Sequence, residues 1–205
     1  MLPWKAIARF TSAALSLLLA LLAYPVYAQA DHPDPQHSSW DFSVWAAGAT
    51  GEENTNSFSE AQILSAGFVV GKELTSEIGR GWRRGRLQYG FSLIPVFHQF
   101  SPQSIYGGGF EPVILRWNSS LRAGRVAPYI ELAGGGLRTN TNLPAGNTSD
   151  FNFTARGGGG IQLSTIGRQS LDIGVRWYHI SNANLGVRNT EFNGIQAIVG
   201  YHWRH

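Results

Sequence analysis

The chain reads as all-β, an eight-stranded antiparallel barrel of the kind that sits in an outer membrane. Three observations predict it. After residue 30 no long apolar run and no sustained helical period appears. Instead, about eight short segments alternate apolar residues with polar or small ones, the period of a strand with two unlike faces. The N-terminus has the layout of an export signal, which places the chain outside the cytoplasm.

That signal spans residues 1–30. Lys5 and Arg9 precede an apolar run over residues 13–23, and small residues follow at Val26-Tyr27-Ala28 and Ala28-Gln29-Ala30. Cleavage is expected after Ala28 or Ala30. The run is too short for a helical membrane span. Residues 31–205 then form a single barrel domain. The chain has no cysteine, so neither disulfides nor thiolate metal sites support the fold. Removing Lys5 and Arg9 from the 16 basic residues leaves 14 against 13 acidic ones, which is no composition for binding nucleic acid. The cluster Arg80, Arg83, Arg84 and Arg86 reads as a solvated turn.

The first strand, 40–46, puts Trp40, Phe42, Val44 and Ala46 on one face. The second, 62–72, aligns Leu64, Ala66, Phe68 and Val70. The third, 87–97, aligns Leu87, Tyr89, Phe91, Leu93 and Phe97, with Pro95 interrupting. The fourth covers about 110–117, and the fifth, 127–137, is glycine-rich after Glu131. The sixth, 151–163, aligns Phe151, Phe153, Ala155, Ile161 and Leu163. The seventh carries Leu171, Ile173, Val175 and Trp177 and ends in His179 and Ser181. The eighth, 192–203, aligns Ile195, Ala197, Val199, Tyr201 and Trp203.

The opposite faces are polar. Asp41, Ser43, Ser65, Gln88, Ser92 and Glu131 lie there, as do Thr154, Arg156, Gln162, Asp172 and Arg176. Charges in mid-strand fit a membrane barrel, whose apolar face meets lipid while polar groups pair inside. Aromatic residues near strand ends (Trp40, Phe97, Trp117, Phe151, Trp177, Tyr201 and Trp203) fit the girdles of such a barrel, and the glycines at 134–136 and 157–160 permit close packing. Both termini are then periplasmic. Outer loops fall at about 49–61, 98–109, 138–150 and 182–191, and inner turns at 118–125 and 165–169. The inner connection 73–85 is longer than this scheme expects.

The seventh strand runs toward the outer leaflet. Its outward face passes from four apolar residues to His179 and Ser181, a general base and a nucleophile. Residues two apart on a strand share a face and lie about 6.6 Å apart at Cα, within side-chain hydrogen-bonding reach. Polar groups facing lipid are costly and point to function. Asn182 and Asn184 follow, offering amide donors for an oxyanion. The chain lacks Gly-x-Ser-x-Gly, which sets it apart from the α/β-hydrolases. His98 lies beside an outer loop, and His202 and His205 near the terminus. No His-x-x-x-His or acidic cluster suggests a metal, and no cofactor is expected.

The segment His179-Ile180-Ser181-Asn182-Ala183-Asn184, with Asn189 and Asn193-Gly194-Ile195 after it, resembles the PagL-type lipid A 3-O-deacylases. The resemblance implies a bacterial outer-membrane esterase that removes the 3-linked acyl chain from lipid A of lipopolysaccharide. It implies Ser181 as nucleophile, His179 as general base, and Asn182 as a residue that stabilises the oxyanion or positions the pair. The family's third member is a Glu that orients the imidazole. Matching the Gly-Ile step puts Gln196 there, uncharged and, by parity, on the interior face. Glu191 shares the outward parity of Ile195 and Ala197 and is expected opposite Asn182, so it is the favoured acid. The choice between Glu191 and Gln196 stays open in the sequence. Arg138 and Arg188, in outer loops, are candidates for contacting lipid A phosphates. Two other readings remain: a non-catalytic structural or binding barrel, and another lipid-acting barrel such as a phospholipase or acyltransferase.

Overall fold

A computed structural model describes residues 40–51, 61–146, 148–165 and 167–205. The expected export signal and most of the first outer loop lie outside the described residues. Eight strands form one closed antiparallel barrel, in which each pairs with the next and the last returns to the first. They are β1 (Trp40–Gly51), β2 (Gln62–Glu73), β3 (Gly85–Ser101), β4 (Ile105–Ser119), β5 (Val126–Leu143), β6 (Ser149–Ser164), β7 (Gln169–Ser181) and β8 (Phe192–Arg204).

The alternation in the sequence decides which way each side chain points. Along β1, Trp40, Phe42 and Val44 are exposed while Asp41, Ser43 and Trp45 are buried. Every polar residue expected on the interior face, from Asp41 to Arg176, is buried. The outward belt is apolar, with Phe68, Leu93, Ile130, Leu132 and Val175 more than half exposed. This inside-out distribution suits a barrel whose outer solvent is lipid.

The interior has two zones. Toward the inner end, charges neutralise one another. Arg116 meets Asp172 at 2.5 Å and Glu131 at 3.6 Å, and its guanidinium stacks 3.7 Å from the Tyr129 ring centre. Arg176 reaches Glu131 at 3.4 Å, and Arg156 pairs with Glu111. His202 has a carboxylate at each ring nitrogen, Asp41 at Nδ1 and Asp172 at Nε2, both at 2.9 Å. Such pairing is what makes buried charge tolerable. Toward the outer end the filling is apolar, with Ile63, Phe97, Ile105, Leu137, Ile180 and Phe192 packed together. The cavity among the charges measures about 30 Å³, room for a water or two and no more.

Two expectations are corrected. Phe97, aligned with the outward residues in the sequence, points inward and is 2% exposed. The register shifts between Ile94 and Phe97, Pro95 and Val96 both face outward, and parity inverts beyond them. Proline lacks the N–H a ladder requires and so settles at such a bulge. Second, the strands run longer at the outer end than the apolar pattern indicated. Residues 105–109 and 138–143 belong to strands, so the outer connections shrink to 102–104 and 144–148. The 73–85 connection is long, as the sequence indicated, and it is ordered. Ile78 and Gly85 exchange two backbone hydrogen bonds at 2.9 Å, and a 3-10 turn (Gly81–Arg83) closes it.

Candidate active site

β7 rises to the outer end and presents Trp177, His179 and Ser181 on the lipid-facing side. Their partners across β6 are Gly157, Ala155 and Phe153, so small residues flank the histidine. Across β8, His179 pairs with Asn193 and Trp177 with Ile195. Extended one step, that register sets Ser181 opposite Glu191, one residue from the expected position opposite Asn182.

The histidine and serine meet as their parity demands. His179 Nε2 lies 3.0 Å from Ser181 Oγ. The other ring nitrogen, Nδ1, lies 2.8 Å from Asn193 Oδ1. Asn193 in turn donates from Nδ2 to Glu191 Oε2 at 3.5 Å. Hydrogen-bonding capacity fixes the direction of this chain. A carboxylate accepts and cannot donate, so the amide turns its NH₂ toward Glu191 and its carbonyl oxygen toward His179. Nδ1 then carries the proton, and Nε2 is free to accept one from the serine hydroxyl. The Trp177 ring stacks on the imidazole, 5.4 Å between centroids and 17° from parallel, and fixes its plane.

The sequence anticipated Glu191 or Gln196 beside the imidazole; the residue in contact is Asn193. Glu191 stands one hydrogen bond behind it. Gln196 is 1% exposed inside the barrel, where its Nε2 donates to Ser65 Oγ at 3.4 Å. Asn193 shares the outward parity of Ile195, the signal that could have singled it out, but a neutral amide does not stand out among catalytic side chains.

Asn182 is fully buried and turned inward. Its Oδ1 accepts from the Asn184 N–H at 2.9 Å, its Nδ2 donates to the Arg188 carbonyl at 2.8 Å, and its own N–H donates to Asn189 Oδ1 at 3.0 Å. Its side chain therefore holds the loop over 182–191 rather than reaching the outward face of Ser181. Ala183 and Asn184 take left-handed conformations in this turn (φ 50° and 66°). The Ala183 N–H has no partner among the described residues. The loop leans on the neighbouring connection so closely that a Cβ at Gly186 would lie 2.6 Å from the Thr148 carbonyl oxygen. Of the two arginines expected in outer loops, Arg138 instead lies within β5, because that strand runs on to Leu143, and is paired with Asp150 at 3.4 Å; Arg188 is in the loop, exposed, with its carbonyl bonded to Asn182.

A second His–Ser contact lies across the barrel, where His98 Nε2 is 3.0 Å from Ser104 Oγ. Its ring sits between Phe100 and Tyr106, at 3.9 and 4.1 Å between centroids. No polar group holds its Nδ1 among the described residues, so it lacks the third member that makes the His179 arrangement chemically directed.

Comparison with known proteins agrees with this barrel. A family model described as lipid A 3-O-deacylase (PagL) matches residues 24–202. No curated protein matches the chain by sequence. Among solved structures, the crystal structure of the outer membrane enzyme PagL is similar, with TM-score 0.55 and 19% identity over 78% of this chain and 97% of that one. The crystal structure of Neisserial surface protein A (NspA) is also similar, with TM-score 0.57 and 14% identity over 81% of this chain and 97% of that one. At these identities the likenesses speak for the fold. The family match extends over most of the sequence, and with the closed barrel it makes this chain a member of the PagL lipid A 3-O-deacylase family and a bacterial outer-membrane protein.

Proposed function

We propose that the protein is a serine esterase that removes the 3-O-linked acyl chain from lipid A of lipopolysaccharide within its own membrane. The observation that carries this reading is the directed chain Ser181–His179–Asn193 on the lipid-facing surface, with 3.0 and 2.8 Å links. Family membership supplies the substrate class.

The chemistry is acyl transfer to water in two steps. Ser181 Oγ attacks the ester carbonyl carbon while its proton passes to His179 Nε2. The Asn182 and Asn184 N–H groups are engaged within the loop, which leaves the Ala183 N–H as the backbone donor that would meet the oxyanion. The bond between the acyl carbon and the ester oxygen breaks, and that oxygen, which stays on the sugar, takes the proton from Nε2 to become a hydroxyl. Water then gives a proton to Nε2 and attacks the acyl-serine, Ser181 recovers its proton, and the fatty acid leaves. Throughout, Asn193 Oδ1 accepts the Nδ1 proton. Glu191, beyond the amide, contributes negative charge at one remove while the ring is cationic.

The test is direct. Purified protein in detergent is incubated with lipopolysaccharide, and lipid A is examined by mass spectrometry. The expected product lacks one 3-linked hydroxyacyl chain, and Ser181→Ala protein yields none. An unchanged spectrum across detergents and divalent ions would overturn the activity. A Ser181→Ala protein that still deacylates would overturn the site. The mature chain is taken to begin after Ala28 or Ala30, which the intact mass of protein from outer membranes checks.

A further inference from the structure

We propose that the inner rim of the barrel is a docking surface for anionic phospholipid headgroups of the adjoining leaflet, centred on Trp82. The proposal is independent of the reaction at Ser181.

The β2–β3 connection is the long one that the sequence leaves without a purpose. Its order is extensive. Leu74 N–H donates to the Leu87 carbonyl at 2.8 Å, Ile78 and Gly85 pair, and Ser120 N–H donates to the Arg84 carbonyl at 2.8 Å, which ties the connection to the β4–β5 turn. Glu77, outside the span, is held below the usual carboxylate range by a hydrogen bond with Ser120, reinforced by Arg84. What this ordered turn displays is apolar. Trp82 is 72% exposed and Leu74 56%, and Leu121 of the neighbouring turn is 47% exposed. The Arg83 guanidinium lies 4.8 Å from the Trp82 ring centre. A rigid turn that holds tryptophan and leucine away from the core gains nothing from folding alone.

Charge identifies the occupant. Lys72, Arg80, Arg83, Arg84 and Arg86 lie on or beside this connection. Arg122 and Arg125 sit on the β4–β5 turn, Arg168 on the β6–β7 turn, and Arg204 ends β8. Among the described residues the carboxylates on this rim are Glu73 and Glu77, already engaged by Arg86 and Arg84, and Asp41 just inside it, 3.9 Å from Arg204. Arg80, Arg125 and Arg168 face no carboxylate there. The outer end is balanced, with Arg138 and Arg188 against Asp150 and Glu191 among its described residues. The excess cation therefore lies at the inner end, next to the exposed Trp40 and Trp203, where the apolar belt gives way to headgroups. Each basic residue gains electrostatic attraction at an anionic membrane surface, and tryptophan prefers that same depth. Guanidinium groups match phosphate oxygens in pairs.

The folded barrel is reconstituted into phosphatidylcholine vesicles that contain brominated phosphatidylglycerol or, at equal fraction, brominated phosphatidylcholine. The difference between wild type and Trp82→Phe isolates the fluorescence of Trp82. Quenching by the brominated anionic lipid should be about twofold stronger or more, given the gain per basic residue. The preference should vanish in Arg80→Gln/Arg83→Gln protein, and high salt should erase it in the wild type without any substitution. Equal quenching by the two lipids, or a preference insensitive to salt, would overturn the proposal. An unquenched Trp82 would overturn it too and leave the rim to a soluble acidic partner.

Discussion

Asn193 Oδ1 sits 2.8 Å from His179 Nδ1, where a hydrolase of this design commonly holds a carboxylate. Glu191 behind it accepts from the amide NH₂ and so turns the carbonyl oxygen toward the ring.

Replacing Asn193 by Ala removes the acceptor for the Nδ1 proton, and kcat should fall on the order of 10²-fold. Asn193→Asp, which keeps an acceptor and adds charge, should retain activity or exceed the wild type. Glu191→Gln should cost about tenfold or less, since it disturbs the amide's orientation and not the contact itself. Deacylation rates of the three proteins rank these contributions. Wild-type turnover by Asn193→Ala would show that the ring needs no third member.

Trp177 holds the imidazole plane by stacking. A contact of this kind is worth about 0.5–1.5 kcal/mol, so Trp177→Ala should lower kcat by roughly threefold to tenfold. Trp177→Phe should restore most of it. Equal rates for both variants would mean that His179 is held by its hydrogen bonds alone.

Asn182 braces the loop from inside. Asn182→Ala strands the Arg188 carbonyl and the Asn184 N–H, at a cost of about 1–3 kcal/mol felt locally. The expected sign is faster cleavage within 182–191 by an added protease while the barrel stays folded, with a parallel loss of activity. Unchanged protection of the loop would count against that bracing role.

Glu131 lies between Arg116 and Arg176. Glu131→Leu leaves buried guanidinium groups short of a counter-charge and should destabilise the barrel by about 3–5 kcal/mol. A lowered urea midpoint in detergent is the readout. The folded fraction should keep its activity, because the site lies on the other surface of the wall.

The barrel was legible because its alternation is nearly uninterrupted. Asp41, Glu131, Arg156 and Arg176 could be placed inside from parity alone, and so could Gln196. Phe97 could not, because parity is inherited along a strand and the bulge at Pro95 and Val96 resets it. The outer ends of β4 and β5 were missed because Gly107 and Thr139 give no apolar signal, although their backbones pair. At the site, His179 and Ser181 follow from spacing within one strand. Asn193 depends on the register across a hairpin of ten loop residues (182–191), where a shift of one residue changes every facing pair.

A reactive pair on the outer wall faces lipid on one side of a cylinder. Encounter is therefore a search in two dimensions, with an angular condition added to the usual one of distance. A lipid arriving at β2 or β3 must travel around the circumference, or the barrel must turn about the membrane normal, before chemistry can begin. Under the proposed function, substrate supply is set by surface density and lateral mobility in the leaflet, and neighbouring proteins packed against β6 to β8 would silence the proposed activity without touching His179 or Ser181.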